Sequence, residues 1–187
     1  VPEPARFWTH VWDLTGVDGD RPARGDPARV LVEGAAMRPP HAGQGPRWFP
    51  DVRLNFAENL LGAPTADLAI IARDESGRRR TLTFAELHER VRQLAGALRA
   101  AGVVPGDRVA GFLPNVPEAV IGALAAASVG AVWSSCSPDF GVGGVLDRFG
   151  QIAPKVLIAA DGYRYAGKRI DCVARTAEIV AALPQLE

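Results

Sequence analysis

The sequence predicts an α/β fold, a parallel sheet flanked by helices, preceded by an irregular, partly helical N-terminal segment. Short and continuously apolar runs, such as "RVAGFL", "AVWSS" and "KVLIAAD", alternate with helical patterns, as in parallel strands buried on both faces. One of those helical stretches, "PEAVIGALAAASVG", is apolar almost all round and must lie in a core. The first sixty residues differ, holding three of the 4 tryptophans and eight of the 15 prolines.

In "ARFWTHVWDLTGV", Phe7, Val11 and Leu14 recur at helical spacing beside Trp8 and Trp12, and Gly16 closes the pattern, so a short amphipathic helix is expected. Residues 34–50 are rich in proline and glycine and read as an irregular wrap plugged by Trp48 and Phe49. A short helix follows Asn55. The boundary is placed after residue 63, giving an N-terminal segment 1–63 and an α/β part 64–187.

"LAIIARD" and "RRRTLT" flank the Glu75-Ser76-Gly77 turn and predict a hairpin. Thr83 with Glu86 has capping-box spacing, so a helix starts there, with Phe84, Leu87, Val91, Leu94, Leu98 and Ala101 on one face and Gly102 as its stop. Strands over Arg108 to Leu113, "AVWSS" and "KVLIAAD" then alternate with helices over "PEAVIGALAAASVG", "PDFGVGGVLDRFGQI" and "TAEIVAAL".

With 187 residues, 48% of them apolar, the chain can bury a real core. Its 21 basic and 21 acidic residues balance, which argues against a non-specific electrostatic hold on nucleic acid or on an anionic membrane and favours small molecules or proteins as partners. Cys136 and Cys172 are far apart, with no CxxC pair and no histidine at ligand spacing, so neither a metal site nor a disulfide framework is indicated. No apolar run reaches membrane-spanning length and the first residues do not resemble a signal peptide, so a cytoplasmic protein is expected.

Several residues attract chemical readings. Cys136 as a nucleophile needs a base, and nothing in the spacing brings His10, His41 or His88 to it, so a small buried thiol is the better account and a Cys136-dependent acyltransferase the weaker one. Ser137 before Pro138 and Asp139 reads as a helix N-cap. The strand end at Ser134, Ser135 and Cys136 is also where open α/β sheets place ligands. "GVGG" lacks dinucleotide-fingerprint spacing, and no GxxxxGK[ST], GxSxG or HExxH pattern occurs. "DGYRYAGKRID" clusters Arg164, Lys168 and Arg169 with two tyrosines; it reads either as a solvated basic turn or as a mobile loop that holds a phosphate or a nucleotide base.

"FWTHVWDLTGV", "RWFPDVRLNFAENLL", "WSSCSPDFG" and "VLDRFGQIAPKVLIAADGYRYAGK" together resemble the adenylate-forming acyl-CoA ligases, in particular the branch that activates acetoacetate. The resemblance implies the first subdomain of the ligase's large N-terminal domain. It implies a parent enzyme that uses ATP and Mg2+ to turn acetoacetate into an acyl-adenylate and then passes the acyl group to CoA. The family's phosphate loop, ribose aspartate and C-terminal lysine have no counterpart here, so no catalytic and no metal residue is assigned. The chain is expected to be a piece of a longer ligase, inactive without the remainder. Carried over by position, Arg164 and Lys168 meet CoA phosphates with Arg169 beside them, and Ser134, Ser135 and Cys136 line the pantetheine tunnel. The alternative is a non-catalytic truncated paralogue that binds CoA or another protein.

Overall fold

The structure is a computed structural model and describes residues 3–20, 29–34 and 45–187. Two compact units divide the chain, Val1–Asn59 and Leu60–Glu187.

In the first unit, α1 (Pro4–Thr15) starts with proline in its first turn and ends where Gly16, at φ 63, returns its amide to the Trp12 carbonyl. Its aromatic residues form a row: Phe7 meets Trp8 edge-on at 5.2 Å, Trp8 meets Trp48 at 5.0 Å and Trp12 tilts over Phe49 at 4.9 Å. Trp48 stays 45% exposed, so it belongs to this aromatic row rather than plugging a core. A two-residue ladder, β1 (Leu31–Val32) against β2 (Arg47–Trp48), is antiparallel and was not anticipated. The rest of the proline-rich stretch, residues 35–44, lies outside the described residues, as does His41. Asn59 closes the unit: it accepts from the Asp18 amide at 2.9 Å and donates to the Asp18 carbonyl at 2.7 Å.

The expected helix after Asn55 is α2 (Phe56–Leu61), with the Asn55 side chain accepting from the Ala57 amide at 2.8 Å. The predicted hairpin is β3 (Leu68–Arg73) with β4 (Arg79–Thr83). Then α3 (Phe84–Ala100) opens with the full capping box: Thr83 Oγ1 accepts from the Glu86 amide at 3.2 Å, and Glu86 accepts from the Thr83 amide at 2.8 Å. Leu87, Val91, Ala95 and Leu98 form its buried face.

The parallel sheet has the order β6 (Val132–Cys136), β5 (Arg108–Phe112), β7 (Val156–Ala159), with β5 in the centre. Alternation along β5 divides the core. Ala110 and Phe112 face a cluster with Val145 and Phe149 of α5 (Val142–Ile152) and Ile179 of α6 (Val173–Ala181). Gly111 faces the other way, against Trp133, whose ring also abuts Gly122 of the almost wholly apolar α4 (Pro117–Ser128). An arginine ties the sheet to its helices: Arg108 donates to the carbonyls of Ile152 at 2.6 Å and Ala153 at 2.8 Å, where α5 ends.

Two expectations need correction. Ser137 does not cap a helix from Pro138: Ser137, Pro138, Asp139 and Phe140 form a separate turn, and Gly141, extended at φ −67 and ψ 163, caps α5 four residues later. Ser137 Oγ donates to Asp139 Oδ2 at 2.8 Å and accepts from the Asp139 amide at 3.3 Å, so its hydrogen-bonding capacity is used within the turn. The basic stretch is not a loop but a hairpin, β8 (Gly162–Tyr165) with β9 (Lys168–Asp171), joined by Ala166 and Gly167. Asn-Gly would have announced that turn; Ala-Gly does not.

Candidate functional site

Three segments meet beyond the carboxyl ends of the parallel strands, which is the edge where open α/β sheets hold ligands. They are the turn Ser137–Gly141 after β6, the β8–β9 hairpin after β7, and the first turn of α6. The Tyr163 hydroxyl donates to Asp139 Oδ1 at 2.5 Å, and Arg175 of α6 donates to the Pro138 carbonyl at 2.5 Å. The bond from Tyr163, then that from Ser137, holds the Asp139 carboxyl below its usual range, with the charge of Arg175 adding to the effect. The same bond to Asp139 pushes the Tyr163 phenol up to about 12, because ionising it would place two negative charges side by side. Neither contact could be read from spacing, since the partners lie 24 and 37 residues apart.

The hairpin register decides which basic residues act together. Arg164 pairs with Arg169, so both project from one face, while Lys168 pairs with Tyr165 and lies on the face that also carries Tyr163 and Ile170. All three cations are exposed, and among the described residues none has an ion-pair partner. A shallow depression lined by Asp161, Gly162, Tyr163, Arg164 and Arg169 lies at the base of the hairpin. Arg164 and Arg169 thus form the grouped pair able to take a multiply charged anion through their guanidinium donors.

Along β6 the alternation separates the three strand-end residues. Cys136 packs with the α5 and α6 cluster, and Ser135 lies on the opposite face, toward Gly111, so Ser134 and Cys136 share one side and Ser135 takes the other. Cys136 is 8% exposed, and burial pushes its thiol above the ordinary value, which keeps it protonated at neutral pH. His88 is hydrogen-bonded to the Gly62 carbonyl at 2.9 Å. Cys136 and Cys172 are both buried and unlinked. Among the described residues, no three His, Cys, Asp or Glu side chains gather in a way that could hold a metal ion, and no helix is long and apolar enough to cross a membrane.

An α/β unit of this design, with its polar groups on the carboxyl edge of the sheet, is shared with the AMP-binding enzymes. The sequence profile of that family matches residues 56–186, and the chain belongs to it. It is 49% identical over 183 residues to acetoacetyl-coenzyme A synthetase of Rhizobium meliloti (strain 1021), covering 98% of this chain and 26% of that protein. It is 41% identical over 193 residues to malonamoyl-CoA synthetase of Penicillium aethiopicum, covering 100% of this chain and 25% of that protein. Among solved structures, acetoacetyl-CoA synthetase from Streptomyces lividans superposes with a TM-score of 0.85 at 43% identity, over 100% of this chain and 28% of that one. The chain therefore spans about a quarter of the length of the curated relatives it matches.

Proposed function

We propose that the chain is part of an acid–thiol ligase that joins acetoacetate to CoA. The acid carboxylate attacks the α-phosphorus of ATP, pyrophosphate leaves, and the CoA thiol then displaces AMP from the acyl-adenylate. In this reading residues 1–63 are an N-terminal segment and 64–187 the early part of the AMP-binding domain. The ATP, Mg2+ and acid sites are assigned to the remainder of the ligase, and no catalytic residue to this chain. Its free, buried cysteines and an ATP-consuming reaction fit a cytoplasmic enzyme.

The observation that carries the reading is the 49% identity to an acetoacetyl-coenzyme A synthetase over 98% of this chain. The similarity to a malonamoyl-CoA synthetase fits the same substrate class, because acetoacetate and malonamate differ only by methyl against amino at the β-carbonyl. For the chain's own residues we propose that Arg164 and Arg169, with Lys168 behind them, bind the CoA phosphates. Ser134 and Cys136 on one face of β6, and Ser135 on the other, border the path of the pantetheine arm.

The test is to express the complete open reading frame that encodes this chain and to measure CoA-dependent AMP release with acetoacetate, malonamate and acetate. Acetoacetate is expected to be used best. Preference for acetate would overturn the acetoacetate assignment, and CoA binding without turnover of any acid would overturn the ligase assignment in favour of a binding module. Arg164→Ala is expected to raise the Kd for CoA about tenfold, the order of one lost hydrogen bond to a charged group.

A further inference from the structure

The tip of the basic hairpin is strained and externally held. Its two linking residues, Ala166 and Gly167, both take positive φ, 50 and 74, in the manner of a type I′ turn. Glycine adopts that conformation freely, whereas alanine meets a clash between its Cβ and the backbone. A two-stranded hairpin is also marginal by itself in water. Both turn amides point at one carboxylate from far away in the chain: Ala166 donates to Glu75 Oε1 at 3.1 Å and Gly167 to Glu75 Oε2 at 3.2 Å.

Glu75 sits in the turn of the β3–β4 hairpin, yet that turn is organised by its neighbour. Asp74 Oδ1 accepts from the Ser76 amide at 2.9 Å, the Ser76 hydroxyl at 2.6 Å and the Arg78 amide at 3.1 Å. Glu75 has no part in this network, and both of its oxygens go to the other hairpin. Two successive amides in left-handed conformation form a small anion cradle, and a side-chain carboxylate occupies it.

We infer that Glu75 is a positioning residue for the anion site: by fixing the Ala166–Gly167 turn it sets the register and twist of β8 and β9, and with them the pairing of Arg164 and Arg169. The inference rests on the reading of this hairpin as a CoA-phosphate site. It makes a prediction opposite in sign to that of simple charge. An acid that merely stood near a basic site would repel a phosphate, so removing it would tighten binding. If Glu75 positions the arginines, removing it weakens binding.

Calorimetric titration of CoA into the product of the complete open reading frame that encodes this chain, with wild type, Glu75→Ala, Glu75→Gln and Arg164→Ala, separates the cases, with amide resonances of Ala166 and Gly167 followed by NMR. Glu75→Ala is expected to raise the Kd about three- to tenfold, to move both amide protons upfield and to leave the thermal midpoint of the sheet unchanged. Glu75→Gln keeps one acceptor oxygen and is expected to fall between. Unchanged or tighter CoA binding in Glu75→Ala, or unmoved amide resonances, overturns the positioning role. Equal CoA affinity in wild type and Arg164→Ala overturns instead the assignment of the hairpin to CoA, and this inference with it.

Discussion

Replacing Gly111 by alanine tests how the centre of the sheet is built. A Cβ at this position of β5 would stand 2.5 Å from Trp133 Cζ2, 2.6 Å from Cη2 and 3.3 Å from the Ser135 Cβ. Carbon atoms in good contact lie about 3.5–4.0 Å apart, so the overlap is about 1 Å. The indole cannot retreat, because a Cβ on Gly122 of α4 would itself be only 2.7 Å from Cη2; the ring is wedged between two glycines. Overpacking of this kind costs about 1–3 kcal/mol, and the lower chain entropy of alanine in the unfolded state returns about 0.4–1 kcal/mol. The net loss is about 1–2 kcal/mol, which for a chain of this size lowers the thermal midpoint by roughly 2–8 °C. Urea unfolding of Gly111→Ala, Trp133→Leu and the double variant measures it. Once the smaller side chain frees the slot, the double variant is expected to be more stable than the sum of the two losses by about 1 kcal/mol. Gly111→Ala within about 0.5 kcal/mol of wild type, or strict additivity, would refute the wedge.

Ultraviolet titration of the two tyrosines is expected to show one phenol ionising near 12, Tyr163, and Asp139→Asn is expected to bring it back toward 10.0. Because the folded state raises this pKa, the stability that the bond supplies is complete below the ordinary phenol value and fades as pH rises from about 10 to about 12. Its partner Asp139 is lowered, so that contribution fades in acid as pH falls below 3.8, the ordinary value. Titration of Tyr163 at the ordinary phenol value of 10.0 would remove the Tyr163–Asp139 bond. Cys136, buried and held protonated, is expected to react with iodoacetamide at least tenfold more slowly in the folded chain than in urea. Rapid native alkylation would restore a chemical role for the thiol.

Much of the fold was legible because it is written in local rules. The Thr83–Glu86 box, the proline that opens α4, the Gly16 stop of α1 and the apolar runs of β5, β6 and β7 each satisfy a requirement of their own few residues. The start of α5 was misplaced because two caps compete within the five residues Ser137–Gly141. Ser137 has the right chemistry for a cap, but Asp139 engages it first and leaves the cap to Gly141. The β8–β9 hairpin was read as a loop because its turn uses alanine in a conformation that alanine disfavours, and the carboxylate that supports it comes from residue 75.

The candidate site divides along the same line. By itself the sequence determined that basic residues gather after the third parallel strand and that the strand end at Ser134 to Cys136 runs into a turn, because composition and alternation are local properties. Only the tertiary structure decided that Arg164 stands with Arg169 and not with Lys168, that Tyr163 locks onto Asp139, and that Glu75 holds the hairpin tip. Cross-strand register and contacts over dozens of residues arise when separate elements pack together, and no short stretch of chain encodes them alone.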